Sequence, residues 1–351
     1  MKNVSPNLLS ILPFLPLFLR LKLLDLAGPR PPLPGGVLDE QLDLLRRAQR
    51  ALGETPLDRE TPDQARASFT SSIRLLKKAG GLFEKVAAVR DLTIPGPAGA
   101  IPARLYLPGE EKTYPLFIYF HGGGWTIGDL DSADNIARFI CRRAGCSVLS
   151  VDYRLAPEHP FPAGVDDAFA AVQWAVRQAA ELHGDPQHVL VGGDSAGATL
   201  SAVISQLALH KGSPRLAGQV LFYAATNAAG LDTPSFKEFG EKALGLPTRD
   251  VRWFLDQYTP DSRDRRDPRV SPLFARDLYG LPPALVVTAE FDVLRDEGEE
   301  YARRLEKAGV PVTLLRCNGM VHGFLTLVGL IKRSTQYFDQ VIVEIRRLAA
   351  A

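Results

Sequence analysis

Val189-Leu190-Val191-Gly192-Gly193-Asp194-Ser195-Ala196-Gly197-Ala198-Thr199-Leu200 decides how this chain is read. A short apolar run of strand character leads into a GxSxG turn, and a small-residue stretch, AGATLSAVISQLAL, continues as a helix. A serine on so sharp a strand-to-helix turn adopts a strained backbone, and only small residues two positions to either side leave room for it. Its hydroxyl then stands above a sheet. The helix that starts beside it directs free backbone N–H groups and a positive dipole end at the same point, which favours a developing anion.

The surroundings of that turn repeat the alternation. Strand candidates are Val86 to Ile94, Ile101 to Leu107, Leu116 to Phe120, Ser147 to Val151, Val189 to Gly192, Gln219 to Tyr223, Leu285 to Ala289 and Val312 to Leu315. The first two are joined by a Pro/Gly turn (Pro95 to Gly99) too short for a helical crossover and should pair antiparallel. Helical patterns separate the others, as in Asp166 to Leu182, where Ala168, Val172, Ala175, Ala179 and Leu182 share one face. This is an α/β fold with an eight-stranded, mostly parallel sheet covered by helices on both faces. Two helices precede it. One places Leu38, Leu42, Leu45, Ala48 and Leu52 on a face behind Asp39 as N-cap. The other opens with Thr61, Pro62 and Gln64 as a capping box and stops at Gly80 and Gly81. Between Thr226 and Arg276 the alternation lapses, which marks an insertion; its mixed-sign run Asp261 to Arg269 reads as a solvated loop.

Composition removes several classes of function. The 351 residues are 46% hydrophobic and carry 41 basic against 40 acidic side chains, a formal charge of +1. A nucleic-acid partner would call for a basic excess, and disorder for high charge with few apolar residues. Cys141, Cys146 and Cys317 form no disulfide or zinc pattern, so a reducing, cytoplasmic setting is the default. The exception to ordinary globular composition is residues 1–36. Asn3 to Leu19 is uncharged and rich in Leu and Phe, but Pro6, Pro13 and Pro16 interrupt it and Arg20, Lys22 and Asp25 close it. A spanning helix needs about 20 apolar residues, and no small-residue cleavage site follows. Three readings stand: a segment packed on the fold, an interfacial membrane contact, or a cleaved leader.

A serine hydroxyl needs a base to take its proton and a group to orient that base. Of six histidines, His322 follows the last strand in a glycine-flanked loop, Gly319-Met320-Val321-His322-Gly323-Phe324. His159, His183, His188 and His210 lie at turns or helix ends and read as exposed polar residues. Asp292, directly after strand LVVTA, is the orienting acid; Asp296 competes, but its position at a helix start suits an N-cap. The order Ser195, Asp292, His322 matches the nucleophile, acid, histidine order of α/β-hydrolases. His121-Gly122-Gly123-Gly124-Trp125 ends another strand, where consecutive glycines let bare N–H groups face a ligand. A dinucleotide loop is excluded by spacing, since the third glycine of GxGxxG would fall on Ile127. His121 should fix this loop by hydrogen bonds rather than act as a base.

These motifs, with Asp152-Tyr153-Arg154-Leu155-Ala156-Pro157-Glu158 and Asp292-Val293-Leu294-Arg295-Asp296, together resemble the hormone-sensitive-lipase-like carboxylesterases of the α/β-hydrolase superfamily, the bacterial family IV type. The resemblance runs from about Leu38 to the end. It implies an α/β-hydrolase core at 86–225 and 277–351, cap helices at 37–85 and a cap insertion at 226–276. It also implies Ser195, Asp292 and His322 as triad, Gly123, Gly124 and Ala196 as oxyanion-hole donors, and structural roles for Asp194 and Glu158. Membrane-tethered arylacetamide-deacetylase-like relatives carry an apolar leader, which keeps a peripheral contact through 1–36 open.

The expected reaction is hydrolysis of short to medium acyl esters through an acyl-enzyme, with a small-molecule ester as substrate and no metal or cofactor. Amide hydrolysis on the same triad and a non-catalytic ligand receptor are the alternatives; a receptor on this scaffold is expected to lack the histidine. A homodimer is a further expectation. Trp125, Phe324, Phe236, Phe239, Trp253 and Phe254 are each either pocket wall or core.

Overall fold

The computed structural model describes residues 36–51, 56–78, 84–109, 112–242 and 244–350. The apolar stretch before residue 36, Leu52 and the glycine stop at 80–81 lie outside the described residues.

Eight strands form one sheet: β1 (Ala88–Gly96), β2 (Gly99–Leu107), β3 (Tyr114–Phe120), β4 (Ser147–Val151), β5 (Gly184–Asp194), β6 (Gly218–Phe222), β7 (Ala284–Phe291) and β8 (Val312–Val321). Their spatial order is β1-β2-β4-β3-β5-β6-β7-β8. The β1–β2 hairpin is antiparallel, as its short turn requires, and every pairing from β4 through β3 to β8 is parallel. The pairing of β2 with β4 is also antiparallel, because β3 passes beyond β4 to reach the sheet centre. Central strands β3, β4 and β6 are buried almost throughout, as apolar runs covered on both faces must be.

The helices follow the expected pattern with shifted limits. In α1 (Glu40–Ala51), the Asp39 carboxylate accepts from Gln41 N and Leu42 N at 3.0 and 3.3 Å, which is the N-cap read from sequence. Leu42 is fully buried, but Leu44 is buried and Leu45 only half-buried, so the helix turns its face slightly from the expected one. In α2 (Pro62–Lys78) the capping box is reciprocal: Gln64 N donates to Thr61 Oγ1 and Thr61 N to Gln64 Oε1. After α3 (Leu130–Phe139) comes α4 (Ala163–Arg177), which begins three residues before the expected Asp166. Its last turn becomes a separate 3-10 turn, Ala179–Leu182, ended by His183 in the left-handed region. All five residues of the predicted face are buried there. The remaining α-helices among the described residues are α5 (Ala196–His210), α6 (Pro234–Phe239), α7 (Thr248–Tyr258), α8 (Arg295–Lys307) and α9 (Lys332–Ala349). No helix among the described residues is long and apolar enough to cross a membrane.

Parallel topology brings the carboxyl ends of β3, β5, β6, β7 and β8 to one edge, where ligands bind in open α/β sheets. The turn from β5 to α5 depends on two close approaches. A Cβ on Gly193 or on Gly197 would collide with the Phe120 carbonyl at the end of β3, and neither neighbour is a flexible side-chain tip. Gly197→Ala should therefore lower stability by about 1–3 kcal/mol, the range for overpacking, as read from urea unfolding.

Candidate active site

Strand register sets the positions. Gly193 of β5 pairs with Phe120 of β3, and Asp194 with Phe222 of β6, so the residues just past those pairs face one another. Phe291 of β7 pairs with Val321 of β8 after a register shift, which puts Asp292 beside His322 although 30 residues separate them.

Ser195 has φ 52° and ψ −118°, the strain expected at its turn, and its N–H donates to Phe222 O at 2.8 Å. Its Oγ lies 2.9 Å from His322 Nε2, and His322 Nδ1 lies 2.8 Å from Asp292 Oδ2. Asp292 is buried, and its other oxygen accepts from Leu294 N at 3.0 Å. With Nδ1–H donated to that carboxylate, the network assigns Nε2 as the acceptor of the serine proton. The Tyr223 ring stands edge-on to the imidazole at 4.9 Å and limits its movement.

Gly123 and Gly124 take φ of 115° and 56°, so their loop folds back under the site. Thr126 N and Ile127 N both donate to Gly123 O, at 3.0 and 2.9 Å, and close it. A side chain on Gly123 would strike Ile127 O, and one on Gly124 the Phe254 ring. Gly122 N donates to Asp194 Oδ1 at 2.8 Å, while Gly123, Gly124 and Ala196 also line the cavity in front of Ser195.

Asp194 anchors this loop from below. Its Oδ1 also accepts the Tyr119 hydroxyl at 2.5 Å. Burial raises its pKa against the pull of those two bonds. His121 is buried, its Nδ1 2.8 Å from Gly122 O, and its ring stacks on Tyr153 at 4.5 Å. Burial lowers its pKa, but Asp152 and the Gly122 carbonyl outweigh that and the net shift is upward. Tyr153 in turn donates to His121 O at 2.8 Å.

Two expectations are corrected. Asp296 is not an N-cap: it lies inside α8, whose N-cap position is Leu294, and its carboxylate accepts from Ser235 N at 2.7 Å and so ties α6 to α8. Among the other histidines, His159 and His210 are exposed, but His183 and His188 are half-buried, with His188 Nδ1 2.8 Å from Asp185.

The cavity over Ser195 is about 210 Å³. Of the aromatics read from sequence, Trp125 and Phe254 line it, Trp125 being stacked on Tyr258 at 4.3 Å. Phe236, Phe239 and Phe324 are buried elsewhere, and Trp253 packs edge-on against Phe254. Phe69 from α2, Leu231, and Leu246, Val251 and Leu255 in and before α7 complete the apolar wall. Sequence reading missed these because a periodic apolar face does not say which of its residues meets a cavity. It also missed Glu297, a buried acid in the first turn of α8 that lines the cavity. Its Oε1 accepts from Thr226 N and Asn227 N at 2.7 and 3.1 Å. Burial lifts its pKa well above the carboxylate range despite those bonds, with Asp292 and Asp296 adding to the rise.

Removing the hydroxyl of Tyr119 leaves Asp194 with one fewer donor in a buried site. Tyr119→Phe is expected to cost about 1–3 kcal/mol in urea unfolding; an unchanged midpoint would count against the anchor.

Comparison with known proteins agrees with this geometry. Residues 117–326 match a family described as having the alpha/beta hydrolase fold. The chain is 44% identical over 320 residues to the carboxylic ester hydrolase LipN of Mycobacterium tuberculosis, covering 90% of this chain and 84% of that protein. An ethyl acetate hydrolase of Pseudomonas putida is 36% identical over 85% of this chain and 94% of its own length. Among solved structures, a hyperthermophilic esterase from Pyrobaculum calidifontis superposes with a TM-score of 0.86 at 37% identity, over 90% of this chain and all of that one. With the motifs of its loops and strand ends, this places the chain in the hormone-sensitive-lipase-like family of α/β-hydrolases.

Proposed function

We infer that the chain is a serine carboxylesterase in which Ser195 is the nucleophile, His322 the general base and acid, and Asp292 the group that orients the imidazole. The observation that carries this is the continuous contact from Ser195 Oγ through His322 to the buried Asp292, at 2.9 and 2.8 Å. Ser195 attacks the ester carbonyl as Nε2 takes its proton, and Asp292 stabilises the imidazolium. Negative charge develops on the carbonyl oxygen in front of the N–H groups of Gly123, Gly124 and Ala196, supported by the start of α5. His322 then protonates the leaving alcohol, and a water activated by the same nitrogen releases the acid.

Ester rather than amide cleavage is favoured, since the relatives are named as ester hydrolases. The apolar cavity supports the short to medium acyl chains expected from the sequence. It lies between a core at 86–225 and 277–351 and a cap made of 37–85 and 226–276, a division supported by the way Phe69 and Phe254 roof the strand ends. Three buried free thiols suit a reducing compartment. Among the described residues β8 is the end strand of the sheet, and with Leu314 exposed it supports a homodimer.

An alkyl fluorophosphonate should label the protein once, and Ser195→Ala should lose both labelling and ester hydrolysis; labelling that survives the substitution would refute the nucleophile. Matched p-nitrophenyl esters and anilides should show turnover confined largely to the esters, with rates falling as acyl length increases. Gly123→Ala should reduce kcat by on the order of 100-fold or more, because a Cβ that strikes Ile127 O displaces the oxyanion donor.

A further inference from the structure

We propose that Arg66, on helix α2 outside the catalytic strands, strengthens the oxyanion hole by polarising the Gly124 N–H through two peptide groups. Arg66 Nε donates to Thr126 O at 2.9 Å. The amide of that same peptide group, Ile127 N–H, donates to Gly123 O at 2.9 Å. The peptide group of Gly123 O ends in the N–H of Gly124, which the preceding section assigns to the oxyanion. The inference rests on that assignment. A cationic donor at the head of such a chain pulls electron density through each carbonyl toward itself and leaves the last N–H a better donor. Hydrogen bonds in series reinforce one another by about 10–30% per bond.

The rest of the guanidinium fixes this arrangement. Nη2 donates to Ala156 O at 2.9 Å, and Ala156 N donates back to Trp125 O at 2.8 Å, so both loops bordering the site close around Arg66. Nη1 and Nη2 reach the Glu158 carboxylate at 2.9 and 2.6 Å. Glu158 is the acid of the Asp152 to Glu158 motif that the reaction itself leaves unused. The Arg66 bonds pull its pKa down to about 2, so it stays charged at any working pH. Asp63 stands 3.5 Å away on the same helix. Arg66 is therefore a positioning residue with an electrical effect, which a purely mechanical clasp would not have.

The two roles differ in what charge does. Arg66→Gln removes the cation; Arg66→Lys keeps a cation near Thr126 O but loses the fork; Glu158→Ala removes the clasp partner and leaves the cation less neutralised. Each variant is quantified by its fluorophosphonate-labelled fraction, so that only folded sites are counted. Polarisation predicts that Arg66→Gln lowers kcat on a short ester about tenfold, short of the ~100 to 1000-fold loss for deleting a donor, with KM within about twofold. Arg66→Lys should recover most of that loss, and Glu158→Ala should hold kcat at or above the parent value. In a trifluoromethyl ketone adduct, the Gly124 amide proton should move upfield in Arg66→Gln but not in Glu158→Ala. The proposal is overturned if Arg66→Gln matches the parent in kcat, or if Glu158→Ala and Arg66→Lys fall as far as Arg66→Gln. Should Arg66→Gln give no labelled protein, the Arg66→Lys and Glu158→Ala pair decides: retained kcat in both supports polarisation, and a tenfold loss in both refutes it. Failure of the underlying oxyanion assignment would be seen separately, as a Gly124 amide proton that does not move downfield when the parent protein forms the trifluoromethyl ketone adduct.

Discussion

The site depends on one crowded crossing, where the chain leaving β5 passes the carbonyl that ends β3. Gly193 and Gly197 both touch that Phe120 carbonyl, with no room for a methyl group on either. Between them Ser195 is held at positive φ, a conformation that ordinary residues avoid and that persists only where the surroundings over-determine it. The hydrogen bond from Ser195 N to Phe222 O fixes the other side of the turn. The outcome is a hydroxyl lifted clear of the sheet at the first turn of α5, with the backbone strain at Ser195 sustained by tight packing around it.

Everything else at the site is brought to that hydroxyl by strand pairing. Adjacent parallel strands end level with one another, so Asp292 and His322 emerge side by side without any long-range coincidence. The glycine loop after β3 arrives next to Asp194 by the same logic, and Asp194 ties it down through Gly122 N. Buried acids recur in this arrangement with different work. Asp292 faces a histidine, Asp194 holds a loop against a tyrosine hydroxyl, and Glu297, in the cavity wall, grips two backbone amides.

Much of this was legible in the sequence because the chemistry demands unusual residues. Glycines flanking a serine, three glycines after a strand and a histidine between glycines are costly choices that only a special backbone justifies. The alternation of apolar runs with helical faces likewise gave the sheet and its antiparallel first hairpin. What sequence hides is relation in space. Nothing in the spacing says that β3 crosses β4, or that Asp296 accepts from the first turn of α6 rather than capping its own helix. Phe69 looks like any apolar helical residue until α2 is seen to lie over the site, and Arg66 looks like a solvated charge until its carbonyl acceptors are known. Trp125 and Phe254 proved to be wall, whereas Phe236, Phe239 and Phe324 proved to be interior, a distinction that composition alone cannot make.

Part of the cavity wall comes from Phe69 of α2, the 225–231 loop and the segment from Leu246 to Leu255, none of which carries Ser195, Asp292 or His322. Reactivity and selectivity are thus housed in separable parts of the polypeptide. Exchange of Leu246, Val251 or Leu255 can reshape the accommodated acid or alcohol while the bond-breaking apparatus stays as it is, so the scaffold can diversify its diet by drift in a shell that tolerates change.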